Sequence, residues 1–245
     1  MSRTTRQSVQ RPVVWVVGAS RGIGEAIATE FASAGCTVCL SSRDRRALAL
    51  VAKQIASTGG DASLHPCDLM SESSVARAAA SILRRFGRVD VLVNNGGITV
   101  FKAFAQTSMA DFNRIIDTNL RGPIACTKAV LPGMMKRRHG LIINVLSTAA
   151  VKTFPGSSAY TAAKSAMLGL SNVLREELRS SRIRVVNVLP GATDTAMWSS
   201  SSRKKHGPHM MRARSVAECV LALFLLPQDV VAEEVLLRPL DGDVG

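Results

Sequence analysis

The chain of 245 residues is 47% apolar, only 4% aromatic, and carries a formal net charge of +13. Its core must therefore be built from Ala, Val, Leu and Ile. No apolar run reaches the length of a bilayer-spanning helix, and the basic surplus meets neither a nucleic-acid motif nor interleaved aromatics. Five cysteines (Cys36, Cys39, Cys67, Cys126 and Cys219) do not make an even disulfide framework and point to a reducing, cytoplasmic compartment.

Residues 1–12 hold Arg3, Arg6 and Arg11 and no acid; they read as a flexible basic terminus lacking the apolar stretch of a secretion signal. Val13 to Val17 is an uninterrupted apolar run, a buried strand. A helix over Gly22–Ala34, a strand over Cys36–Ser41 and a helix over Asp44–Ser57 follow. Cys36 and Cys39 lie three apart on that second strand and so face opposite ways, which argues against a redox or metal pair. Next come a strand over Ala62–His65, a helix over Ser71–Phe86, a strand over Val89–Val93 and a long helical region over Ser108–Arg138 interrupted by Pro123 and Pro132. Leu141–Leu146 is a strand, Ser157–Ser180 a helix, Arg184–Leu189 a strand, Ser215–Leu225 a helix and Glu234–Leu237 a last strand. This alternation predicts one α/β domain over residues 13–245, a parallel sheet covered on both faces. Trp198 to His209, rich in serine and basic residues, is expected to be a mobile loop; His206 and His209 within it lack the further ligands a metal site needs.

Several motifs fall at the carboxyl ends of the expected strands. Gly18-Ala-Ser20-Arg21-Gly22-Ile23-Gly24 directly follows the first strand; such glycines let the backbone turn tightly and approach a pyrophosphate at a helix N-terminus. Arg43 ends the second strand, where an acid would hold a ribose 2′-hydroxyl. A guanidinium there suits a 2′-phosphate, and Arg21 adds a second cation, so NADP is favoured over NAD. Asp44 is expected to cap the helix that follows. Asp68-Leu69 after the third strand is placed to meet an adenine edge. Asn94-Asn95-Gly96-Gly97 after the fourth can bond a ligand, although a plain Asn/Gly turn explains it equally well. Pro190-Gly191-Ala-Thr193-Asp-Thr195 ends the sixth strand and could set backbone groups against a nicotinamide.

The reacting groups are expected downstream. Tyr160 is the only tyrosine, Lys164 lies one helical turn beyond it and Ser147 thirteen residues before it. A lysine at i+4 shares a helix face with the phenol and favours its ionised form, which suits proton exchange with an oxygen. Asn119 precedes Pro123 by four residues; proline has no N–H, so the Asn119 carbonyl is left free to hold a water.

In this order and spacing these residues resemble the short-chain dehydrogenase/reductase family, over roughly Val13 to Pro239. The resemblance implies a Rossmann-like domain with a seven-stranded parallel sheet and an NADP-dependent exchange of carbonyl and alcohol. Tyr160 would be the general acid or base, Ser147 would orient the carbonyl, Lys164 would bind the nicotinamide ribose and lower the tyrosine pKa, and Asn119 would hold a relay water. It also implies a homodimer or homotetramer. Val17 stands where the family usually has Thr, and Gly96 where it has Ala. Within the family, 3-oxoacyl-carrier-protein reduction is one candidate activity, with Lys128, Arg137, Arg138 and Arg175 as possible contacts for an acidic carrier. A non-catalytic module that senses redox state or a nucleotide, or binds nucleic acid, supported only by charge, is the reading from another class.

Overall fold

β1 (Val13–Val17) is buried along its whole length. Val14 and Val16 pack into a core on one side of it, and Val13, Trp15 and Val17 into a core on the other, as the two-residue period of a strand requires. α1 (Gly22–Ser33), β2 (Thr37–Ser41), α2 (Arg45–Ser57), β3 (Asp61–Leu64), α3 (Glu72–Phe86) and β4 (Val91–Asn94) follow. Beyond them come α4 (Met109–Ile116), α5 (Gly122–Arg137), β5 (Gly140–Val145), α6 (Ser158–Arg179) and β6 (Ile183–Pro190). The chain continues with β7 (Thr193–Asp194), α7 (Ser200–His206), β8 (Met211–Arg212), α8 (Ala213–Leu225) and β9 (Glu234–Leu237). The computed structural model describes residues 11–242, so most of the basic terminus expected over 1–12 lies outside the described residues.

Seven strands form one parallel sheet in the order β3-β2-β1-β4-β5-β6-β9. α1, α2 and α8 supply the core on one face; α3, α5 and the end of α6 supply the other. Cys36 joins the first core and Cys39 the second, as their spacing demands. The expected cap is made, Asp44 Oδ1 accepting from Ala47 N at 3.0 Å, and Ser71 Oγ caps the next helix by accepting from Ser74 N at 3.3 Å. No helix among the described residues is long and apolar enough to cross a membrane.

The structure corrects the reading in three places. The region Ser108–Arg138 is two helices, α4 and α5, joined by a wider turn over Asp117–Arg121 in which Gly122 N reaches back five residues to Asp117 O. Pro123, which can donate no such bond, sits just after it. The segment Trp198–His209 is not a loop: Ser199 Oγ accepts from Ser202 N at 3.1 Å and starts α7, and Arg203 pairs with Asp194 at 2.6 Å. The serines that suggested a loop include the cap that starts the helix. The parallel pair β7–β8 has two residues in each strand, too few to show any period.

Candidate active site

The strand order reverses between β1 and β4, and the carboxyl ends of the strands open there into a cleft of about 1020 Å³. This is the crevice in which open α/β sheets bind ligands. The turn after β1 forms one wall. Gly18 at φ +81° and Gly22 at φ +62° hold conformations that side-chain-bearing residues rarely adopt. Ser20, Arg21 and Ile23 line the cleft beside them. Gly24 does not line it: a Cβ there would collide with Gly18 O, so this glycine allows α1 to pack against the turn. Although Val17 offers no hydroxyl, the turn is braced by Asn95, whose Nδ2 donates to Gly18 O at 3.1 Å and whose N donates to Val17 O at 3.2 Å. A Cβ on Gly96 would lie 2.6 Å from Leu69 Cδ1, so the missing methyl is replaced by the leucine side chain.

Arg43 and Asp44 after β2, and Asp68 and Leu69 after β3, line the same end. Arg21 and Arg43 are exposed and form no ion pair with an acid among the described residues. Asp68 Oδ1 accepts from Met70 N at 3.0 Å, which shapes its turn.

Ser147, Tyr160 and Lys164 meet at the middle of the cleft. The buried stripe of α6 runs through Tyr160, Lys164, Met167, Ser171 and Arg175, the three- and four-residue spacing of one helical face. Polar groups on a buried stripe need partners, and they find them on the sheet. Lys164 Nζ donates to Val145 O at 2.9 Å, Ser171 Oγ accepts from Asn144 Nδ2 at 2.9 Å, and Arg175 Nε donates to Val185 O at 3.2 Å. These bonds key α6 to β5 and β6 and so set the position of Tyr160. Ser147 Oγ accepts from Ala149 N at 3.1 Å and shares a hydrogen bond with the Tyr160 phenol.

The electrostatics differ from the expectation for Tyr160. Burial pushes its phenol above the ordinary value, and it is the Ser147 hydrogen bond, not Lys164, that opposes the rise. The lysine nitrogen is drawn to the Val145 carbonyl and sits 5.6 Å from the centre of the Tyr160 ring. Burial lowers the Lys164 ammonium to about 8.

Asn119 is 1% exposed and does not line the cleft. Its side chain clasps the backbone of Ile98, accepting from Ile98 N and donating to Ile98 O, both at 2.8 Å. Any relay function therefore falls to its main chain. Pro190, Gly191, Thr193 and Thr195 line the wall beyond β6, where Thr193 Oγ1 donates to Gly191 O at 3.0 Å. The proposed carrier contacts fare poorly. Arg175 is buried and bonded to the sheet, while Arg137 and Arg138 end α5 and lead into the start of β5, at the edge of the sheet opposite the cleft. Met197, Trp198 and Phe154, which the sequence offers as apolar pocket walls, line the cleft. Thr99, Thr118 and Phe101 carried no local signal: the two threonines present buried hydroxyls without partners among the described residues, and Phe101 stacks on Trp198 with ring centroids 6.2 Å apart.

A family model described as short chain dehydrogenase matches residues 12–206. A sepiapterin reductase of Chlorobaculum tepidum is 33% identical over 95% of this chain and 98% of its own. A 3-oxoacyl-[acyl-carrier-protein] reductase of Synechocystis is 37% identical over 76% of this chain and 75% of its own. Longer relatives also match: the chain spans 57% of the human dehydrogenase/reductase SDR family member 7. Among solved structures, a metagenomic short-chain oxidoreductase in complex with NADP superposes with a TM-score of 0.83 at 35% identity, over 93% of this chain and 96% of that one. With the glycine turn, the parallel sheet and the Ser147, Tyr160 and Lys164 cluster in place, the match extends from sequence to geometry: the chain belongs to the short-chain dehydrogenase/reductase family of oxidoreductases.

Proposed function

We propose that the chain is an NADP-dependent oxidoreductase that reduces a ketone or aldehyde to an alcohol, with Tyr160 as the proton donor. The observation that carries the reading is the meeting of Ser147, Tyr160 and Lys164 in a cleft that Arg21 and Arg43 also line. The cleft fits a dinucleotide on its own features. Gly18 and Gly22 let the backbone come close to a pyrophosphate. The two arginines have no acidic partner among the described residues and can grip a 2′-phosphate. The Thr118 hydroxyl, without a partner among the described residues, lies in the lining, ready for a polar ligand atom. Gly18, Ser20, Arg21, Gly22, Ile23 and Arg43 would hold the phosphates. Asp68, Leu69, Asn95 and Gly96 would flank the adenosine and ribose, and Pro190, Gly191, Thr193 and Thr195 the nicotinamide.

When bound, the nicotinamide supplies a hydride to the carbonyl carbon. The carbonyl oxygen is held between the Ser147 and Tyr160 hydroxyls, and the phenol gives it a proton as the C=O bond becomes CH–OH. Burial favours the protonated phenol, so the resting site is loaded for donation. The Lys164 charge compensates the phenolate left behind, and a water at the Asn119 main chain returns the proton. General acid catalysis of this kind is worth about 10²–10⁴-fold.

A carrier-bound 3-oxoacyl substrate is the second reading, favoured by the name of the Synechocystis relative. Of its four proposed contacts only Lys128 remains suitable, exposed on α5. A homodimer or homotetramer and a cytoplasmic setting complete the proposal. The test is the loss of reduced-nicotinamide absorbance with NADPH and with NADH across ketones, diketones, aldehydes and 3-oxoacyl thioesters. Turnover with NADPH, weaker with NADH, is expected; no turnover of any carbonyl would overturn the reading.

A further inference from the structure

The lining of the cleft divides by charge. Its charged side chains are Arg21, Arg43, Asp44 and Asp68, all at the ends of β1 to β3, together with the buried Lys164, which is bonded to Val145 O. The rest of the wall includes Ile98, Phe101, Leu146, Phe154, Met197 and Trp198, whose side chains carry no charge. Phe101, on the loop after β4, and Trp198, after β7, stack with their planes only 26° apart. The pair joins two loops and leaves apolar surface uncovered: Phe101 is 57% and Met197 48% exposed. Neighbouring cations already have partners. Lys102 pairs with Asp111 at 3.0 Å, Lys152 lies 5.5 Å from the centre of the Phe154 ring, and Arg203 pairs with Asp194.

A carboxylate or phosphate entering this half would shed water against apolar side chains, with Lys164 already bonded to Val145 O and Lys152 held over the Phe154 ring, a costly exchange. An apolar group would instead cover exposed rings. Two nearly parallel rings present a planar face. Another ring covers such a face with all its atoms at once, whereas an alkyl chain touches it along a line. We propose that the substrate is an uncharged carbonyl compound bearing an aromatic ring, an aryl ketone or aryl diketone, selected by ring contact with Phe101, Phe154 and Trp198. This rests on the oxidoreductase reading, and the experiment separates the two.

The chain has two tryptophans; Trp15 is fully buried, so a ligand-dependent change in emission reports on Trp198. The protein with NADP bound is titrated with 1-phenyl-1,2-propanedione, 2,3-butanedione and phenylglyoxylate, correcting for probe absorbance, and the same three are compared as substrates with NADPH. The neutral aryl diketone is expected to quench Trp198. Its KM is expected to lie about tenfold below those of the other two, the effect of roughly one ring contact. Trp198→Ala should erase most of that advantage. Equal KM values, or a preference for phenylglyoxylate, overturn the aryl proposal and leave the reductase reading standing. Quenching by the aryl probe without turnover of any carbonyl upholds the ring contact and removes the reductase reading.

Discussion

At one end of the cleft the lining is glycine backbone and charged side chains; at the other it is aromatic and aliphatic surface. The first end is built from tight turns directly after β1, β2 and β3, where positive φ at Gly18 and Gly22 leaves no freedom of design. The second is built from loops after β4, β5 and β7 that meet only in three dimensions. The contrast teaches how one scaffold serves two ligands. On the proposed assignment, the end that grips the cofactor is constrained by backbone geometry, and the end that chooses a substrate only by which side chains its loops carry.

The largest effect should come from the seam between the two ends. Tyr160→Phe is expected to cut kcat about 10²–10⁴-fold while NADPH affinity, read by nicotinamide fluorescence, changes little. Comparable losses in affinity would mean that the two ends do not work separately. Next, Arg43→Ala should weaken NADPH binding about tenfold and leave NADH binding unaltered, by loss of a charge-assisted bond to the 2′-phosphate. An equal loss for both cofactors would break the assignment of this end. Asn119→Ala orphans the Ile98 N–H and C=O, at about 1–3 kcal/mol for each group left buried. A lowered denaturation midpoint with a shifted substrate KM is the expected signature, since Ile98 lines the cleft.

The smallest effect concerns pH and needs its signs kept apart. Burial raises Cys36 to about 11, Cys39 to about 12 and Cys67 to about 11, and lifts Cys126 as well. Above the usual thiol value of 9 the unfolded chain sheds protons that the folded chain keeps, so stability falls as pH rises from 9 towards 11. Lys164 acts the other way. Its ammonium is lowered to about 8, so the cost of burying its charge is full below 8 and relieved between 8 and its ordinary 10.5. Urea unfolding at pH 8 and pH 10.5 should therefore show a net loss in the native chain and a larger loss in Lys164→Met. An equal loss in both would mean that the seam lysine is not desolvated.

How much was legible depended on the range of the interaction. Val13–Val17, the glycine turn and the Asp44 cap could be read because each is decided by residues within a few positions of itself. The sheet register, the wide turn before Pro123 and the folding of Ser199–His206 into a helix were not. Serine serves a loop and a helix cap equally well, and only the Asp194–Arg203 pair and the packing around it select between them. The same division runs through the site. Tyr160 and Lys164 lie on one helix and announced themselves by spacing. That Lys164 would turn to the Val145 carbonyl, leaving Ser147 to act on the phenol, required β5 to be in place. The Phe101–Trp198 stack joins residues 97 positions apart. By itself, then, the sequence determined the class of fold, the glycine turn and the pairing of Tyr160 with Lys164 on one helix face, because local geometry and composition dictate them. Only the tertiary structure decided which polar groups meet, which way each pKa moves and what surface a substrate would touch, because burial and long-range contact exist only once the sheet has assembled.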